Sequence, residues 1–380
     1  MALPRERDQR NLRDLDDVRI MFHSHGMTHV SQIHSDATVA IRARGAATNH
    51  AGRYERYARE SDAPLCDTAP VTEVRDETIA RVISTNRSPD LGFDRSVNPY
   101  RGCEHGCIYC YARPTHAWLG LSPGLDFETR LIARPNAAEA LRREIGAKGY
   151  DPRVLAIGTN TDPYQPIERD RKIMRNLLEV LRDHAHPVAI TTKGTMVERD
   201  IDLLTEMGPD LARVGLSVTT LDDQLARKLE PRVPVPTRRL RAIERLASAG
   251  VVVRVMVSPV IPGLTDHEVE AILSAARDAG AQAASMIPLR LPLEVAPLFE
   301  DWLRTHEPGR ARKVLNRVRE FHGGKLYDAG FGTRMRGTGV QADLLQRRFD
   351  RACTALGLAK RLPPLRTDLF RVPGAQMSLF

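Results

Sequence analysis

From Arg153 onward the chain repeats one pattern, a short apolar run followed by an amphipathic stretch, about every 30 residues. The runs are "RVLAIGTN" (153–160), "PVAITTK" (187–193), "ARVGLSVTT" (212–220), "VVVRVMVSPVIPG" (251–263) and "AASMIPLR" (283–290). They are β-branched and of the length expected of strands buried on both faces. Between them lie "RDRKIMRNLLEVLRDH" (169–184), "ERDIDLLTEM" (198–207), "TRRLRAIERLASAG" (237–250) and "DHEVEAILSAARDAG" (266–280), each with helical spacing. Strand then helix, repeated, predicts a parallel sheet of right-handed βαβ units. A further helix at 138–150 and a short strand just ahead of Asn98 bring the count to six units. Six units predict an open, partial (β/α)6 barrel, with functional groups on the loops at the C-terminal ends of the strands.

The rest of the chain reads differently. Residues 1–80 are charged, aperiodic and loop-like, and predict an irregular, loosely attached N-terminal extension. Residues 81–295 hold the barrel. Residues 296–380 predict a helical, basic C-terminal region, with helices at 298–321 and 341–357 flanking a Gly-rich irregular segment at 322–339. The net charge is +8, and residues 301–380 carry sixteen Lys and Arg against seven Asp and Glu, which accounts for the whole excess. Such a tail suits a nucleic-acid partner, and a solvated basic face accounts for the same charge.

With 42% hydrophobic and 27% charged residues, and no apolar run long enough to span a bilayer, the composition is that of a soluble protein without a membrane partner. "MALPRERDQRNLRDLDDVRI" lacks the apolar core of a signal peptide, so a reducing cytoplasm is expected. There, clustered cysteines more often hold metal than form disulfides.

Three of the five cysteines fall within "NPYRGCEHGCIYCYARP" (98–114), as Cys103, Cys107 and Cys110, while Cys66 and Cys353 stand alone and read as ordinary packed residues. Gly102 and Gly106 beside the first two suit a loop that wraps a ligand better than they suit a packed core. A structural zinc site wants four ligands, so here a histidine such as His105 or His116 would have to complete it. An iron–sulfur cluster is the other reading, because thiolates are the usual holders of such clusters and a four-iron cubane normally takes four of them. Three ligands leave one iron open, and an amino acid can chelate it through its amino and carboxylate groups.

The C-x3-C-x2-C spacing, with Tyr109 before the last cysteine, resembles the signature of the radical S-adenosylmethionine enzymes. "SVNPYRGCEHGCIYCYAR" (96–113), "IGTNTDPYQPIE" (157–168), "TTKG" (191–194), "LEPRVPVPTRRLRAIERLASAG" (229–250) and "SPVIPGLTD" (258–266) resemble the spore photoproduct lyase-like, DNA repair photolyase-related branch. The resemblance implies a [4Fe-4S] cluster on Cys103, Cys107 and Cys110, and reductive cleavage of S-adenosylmethionine to a 5′-deoxyadenosyl radical. That radical takes a hydrogen atom from substrate, and an external one-electron reductant such as flavodoxin or ferredoxin is required. It also implies cofactor contacts from Tyr109, Thr161, Lys193 and Ser217, with Lys193 on the carboxylate. Asp162, Gln165 and Glu168 crowd the same loop and serve cofactor binding or helix capping; Arg232 is placed for an anionic group or a surface salt bridge.

One departure stands out. The branch's repair enzymes return hydrogen from a cysteine near the segment matching Gly158–Thr161, where this chain has none, and Cys353 is distant in sequence. Dimer repair is therefore one reaction among several. A metal-containing nucleic-acid-binding protein without adenosyl chemistry is the alternative of another class.

Overall fold

The computed structural model describes residues 41–54 and 70–374. Six parallel strands pair in chain order: β1 (Arg95–Val97), β2 (Leu155–Ile157), β3 (Val188–Thr192), β4 (Ala212–Ser217), β5 (Val252–Val260) and β6 (Ala283–Pro288). Strand Ile83–Thr85 adds to the outer edge of β1, antiparallel. The register aligns apolar residues across the sheet, as in Ile157 beside Ile190 and Val214 beside Val253. Five of the six β4 residues and all of β2 are buried, which is why these strands read as unbroken apolar runs. The predicted partial (β/α)6 architecture is the one observed, with strands shorter than their apolar runs because the last residues of several turn outward as loops.

Helices α1 (Ala137–Ile145), α2 (Ile173–Asp183), α3 (Ile201–Met207), α4 (Pro236–Ser248), α5 (Val269–Asp278) and α6 (Val295–His306) follow the six strands in turn. The helix expected over 298–321 is two helices, α6 and α7 (Pro308–Phe321). Pro308 explains the break: it lacks an N–H and disfavours helical geometry at the residue before it, and Glu307 adopts φ −138° and ψ 50°. A short helix over Asp223–Leu229, absent from the sequence expectation, starts at Asp222, whose carboxylate accepts from the Gln224 and Leu225 amides.

Helices α6 and α7 form one wall of the barrel mouth. Phe299, Trp302 and Val318 share a buried cluster with Ile108 and Tyr109 of the cysteine loop and with Leu225 and Leu229. The last helix, α8 (Val340–Leu356), packs on α5. Beyond it the chain crosses the opposite end of the barrel. Ala359 pairs with the outer edge of β6, Arg254 and Arg213 reach the Lys360 and Pro363 carbonyls, and the Arg371 amide meets the His184 carbonyl. The final basic stretch thus plugs the N-terminal ends of the strands, far from the cysteines. No helix among the described residues is long and apolar enough to cross a membrane.

Candidate active site at the barrel mouth

The cysteine loop leaves β1 and folds over the C-terminal ends of the strands. Gly102 and Gly106 adopt φ of +76° and +67°, which L residues with a side chain rarely take. A Cβ on Gly102 would lie 2.6 Å from Leu131, and one on Gly106 would lie 2.7 Å from the Glu128 carboxylate. Both glycines are therefore required by conformation and by space.

Arg113 organises the loop from inside. Its guanidinium is fully buried and donates to the carbonyls of Cys107, Gly106, Pro123 and Gly124 and to Glu128. Glu128, equally buried, accepts in turn from the Gly45 and Ala46 amides at 3.0 and 2.9 Å. Residues 41–54 have no helix or strand, yet this carboxylate pins them to the loop. The outer flank is held by the Gln165 amide group, which donates to the Gly102 carbonyl and accepts from the Glu104 amide.

Cys103 and Cys107 are buried and Cys110 is partly so. Burial raises all three thiols above their ordinary pKa, and Cys103 also feels the charges of Asp162, Cys107 and Cys110. Cys110 likewise acts on Cys107, and Cys110 packs against the buried clusters of both Cys103 and Cys107. Among the described residues no set of three or more His, Cys, Asp or Glu converges tightly enough to hold a single ion. A multi-iron cluster, several ångströms wide, takes its thiolates from farther apart than one ion does. His116 Nε2 lies 2.9 Å from the Arg130 carbonyl and His105 Nδ1 faces Asp162 at 3.3 Å, and among the described residues neither is grouped with the cysteines as an ion-binding set.

The other expected residues divide into two groups. Lys193, just past β3, faces the thiols: its ammonium lies 5.7 Å over the Tyr109 ring and donates to the Ser258 carbonyl. Its charge works to lower Cys107 and Cys110. Tyr109 is buried with its hydroxyl on Glu230, which also accepts from Thr219 at 2.8 Å and from Arg239 at 2.7 Å. Burial alone would raise the Glu230 carboxyl, but Arg239, then Lys193 and the two hydroxyls, hold it below its ordinary value. Ser217 ends β4, buried, with its carbonyl on Arg239 at 2.9 Å.

Thr161, Asp162, Gln165 and Glu168 position the site and have their polar atoms engaged by the protein. The Thr161 hydroxyl donates to the Tyr100 carbonyl at 3.0 Å. Asp162 accepts from the Tyr164 amide, the Thr192 hydroxyl at 2.6 Å and the Lys193 amide at 2.7 Å. Burial opposes its ionisation, yet His105 and these hydrogen bonds hold its pKa to about 2. Glu168 opens a single helical turn, Glu168–Arg171, and its carboxylate accepts from the Met174 amide in the first turn of α2, besides Tyr100 and Arg199. Arg232 pairs with Glu104 at 3.2 Å.

Several contributors escaped the sequence reading. Arg113, Glu128 and Arg239 look like ordinary helix and loop charges in sequence. Burial, which only the fold decides, gives them their roles. Ser258, beside Lys193, has a buried hydroxyl without a partner among the described residues, as does Ser285 on β6. Tyr111 reaches across the mouth, its hydroxyl on the Thr159 carbonyl. Cys353 is buried in α8, away from the mouth, and Cys66 lies outside the described residues.

Residues 97–276 match the family described as the Radical SAM superfamily. Uncharacterized protein Rv2578c of Mycobacterium tuberculosis (strain H37Rv) is 36% identical over 235 residues, which are 61% of this chain and 68% of that protein. Uncharacterized protein MJ0683 of Methanocaldococcus jannaschii is 31% identical over 173 residues, 45% of this chain and 62% of that one. Among solved structures, spore photoproduct lyase complexed with dinucleoside spore photoproduct has a TM-score of 0.56 at 15% identity, covering 76% of this chain and 81% of that one. A likeness at that identity speaks to the fold alone.

Proposed function

The chain belongs to the radical SAM superfamily, and on that premise we propose that it abstracts hydrogen from a substrate bound at the barrel mouth, with Cys103, Cys107 and Cys110 holding the cluster. Members of the superfamily work with a [4Fe-4S] cluster and S-adenosylmethionine. The observation that carries the reading is the placing of two buried thiols and a partly buried third, with a lysine ammonium whose charge acts on Cys107 and Cys110, at the C-terminal ends of the strands. The donor set fits the group: three soft thiolate donors, a cation beside them, and at Ser258, whose carbonyl that cation meets, a buried hydroxyl without a partner among the described residues.

When bound, the cluster and S-adenosylmethionine supply the electron and the 5′-deoxyadenosyl radical. This chain's residues supply position and shelter. Lys193 holds the cofactor carboxylate as a point charge. Ser217 and Tyr109 are joined through the Glu230–Arg239 pair, which fixes the tyrosine hydroxyl so that the ring keeps one orientation. Asp162 and Thr161 act one layer out, tying the loop after β2 to the end of β3 and to the entry of the cysteine loop. The apolar wall from α6 and α7 keeps water from the thiols.

Nucleic acid is the first substrate class to test, following the spore photoproduct lyase-like motifs. An external one-electron donor of the flavodoxin or ferredoxin kind is the partner required. The test is oxygen-free reconstitution: four irons per chain and 5′-deoxyadenosine under dithionite are expected, both lost together in Cys103→Ala, Cys107→Ala and Cys110→Ala. Stoichiometric zinc without deoxyadenosine would instead favour a metal-containing nucleic-acid-binding protein. Mass spectrometry of irradiated DNA, tRNA and cell extract, with deuterium traced into deoxyadenosine, identifies the substrate.

A further inference from the structure

A charged group without a hydrogen bond or salt bridge to any described residue stands at the same mouth. The fold takes several arginines substantially out of water, and nearly all find acceptors. Arg44 donates to the Glu128 and Pro70 carbonyls, Arg113 to four carbonyls and a carboxylate, and Arg239 to Ser217 and Glu230. Arg213 and Arg254 reach the C-terminal tail. Arg290, two residues past β6, is half-buried and has no hydrogen bond or salt bridge to any described residue. It lies 4.9 Å over the ring of Tyr111, the residue after Cys110.

The carboxylate whose charge acts on Arg290, Asp90, is already committed. Asp90 accepts from Arg334 at 2.6 Å and from the Gly332 amide at 2.7 Å. Arg334 also donates to Ser88 and lies 4.7 Å from the Phe331 ring. This contact ties the Gly-rich segment after α7 to the hairpin beyond β1, so it straps the open side of the barrel beside Arg290. Two guanidinium groups then share one carboxylate. Burial works against the charge on Arg290, as its lowered pKa reflects. A partly desolvated guanidinium with no hydrogen-bond acceptor among the described residues favours an anion brought to it.

We propose that Arg290 binds a phosphate oxyanion of the substrate, seated between Tyr111 and the Asp90–Arg334 strap. A guanidinium offers phosphate a planar, two-pronged set of donors. The flanking rings of Tyr111 and Phe331 are 48% and 63% exposed and present faces to any planar group attached to that phosphate. Assigning the anion to substrate, and not to an effector, rests on reading this mouth as the active site.

The test uses the reconstituted holoenzyme without oxygen and measures binding of two probes by calorimetry: inorganic phosphate, and a single-stranded hexadeoxynucleotide. Arg290→Gln is expected to weaken the probe that binds by about 10- to 100-fold, with Arg290→Lys intermediate. Preference for the free ion assigns a phosphomonoester, and preference for the oligonucleotide assigns a phosphodiester chain. Because the guanidinium has no hydrogen bond or salt bridge to any described residue, Arg290→Gln should melt no lower than the parent. Equal binding by parent and variant, no binding of either probe to the parent, or a clear fall in melting temperature overturns the proposal. So does a matching loss of S-adenosylmethionine affinity, which would assign the anion to the cofactor carboxylate. Deoxyadenosine measured on the same parent samples separates the two claims: its absence sinks the radical chemistry and leaves phosphate binding standing.

Discussion

At the scale of single residues, burial converts ordinary charges into architecture. Arg113 is surrounded by five acceptors and no water, so its replacement leaves Glu128 as a buried, half-satisfied carboxylate. Arg113→Met is expected to cost about 3–5 kcal/mol in thermal unfolding and to lower the iron retained after reconstitution, because the Cys107 carbonyl loses its donor. Arg113→Lys should recover only part of this, since an ammonium cannot satisfy the fork of acceptors. The three cysteines were legible in sequence because their spacing is local. The Arg113–Glu128 pair was not, because nothing local distinguishes it from a surface charge pair.

At the scale of elements, the loops after the strands are held to one another by side-chain clamps. Asp162 joins the loop after β2 to the end of β3 through Thr192 and the Lys193 amide, and touches the cysteine loop at His105. In Asp162→Asn an amide N–H replaces one acceptor, so it confronts a donor or leaves one unmet, costing roughly 1–3 kcal/mol. Because Lys193 loses its fixed entry, S-adenosylmethionine binding should weaken more than the fold does, which calorimetry beside a thermal melt will show. Unaltered affinity with a lowered melting temperature would confine Asp162 to the scaffold. The apolar runs announced the strands because both faces are buried, whereas the split between α6 and α7 turned on Pro308, a local signal outweighed in the reading by the longer helical period. The capped helix at Asp223–Leu229 is too short to display a period at all.

At the scale of the whole molecule, the two ends of the barrel have separate tasks. The cysteine loop and Lys193 sit at the C-terminal ends of the strands, and the final residues close the other end. Phe370 packs there against Tyr150, His184 and His186. His186 is fully buried; its Nδ1 lies 3.1 Å from the Pro187 carbonyl, and Nε2 lies 2.9 Å from the Tyr150 hydroxyl, an arrangement that suits the neutral ring. Burial lowers its pKa to about 4, against about 6.5 in an unfolded chain. The unfolded state therefore binds the proton first on acidification. The stabilisation is complete above about pH 6.5 and is lost as pH falls from there towards about 4, up to a few kcal/mol. Melting temperature measured from pH 7.5 to 5 should drop in the parent and drop less in His186→Gln. The six-unit barrel and the cysteine loop were determined by the sequence alone, since strand period and cysteine spacing are written along the chain. Which charges are buried, that the basic tail plugs the barrel floor, and that Arg290 is left facing Tyr111 were decided only by tertiary structure. Each of these depends on groups distant in the chain that only the closed fold brings together and removes from water.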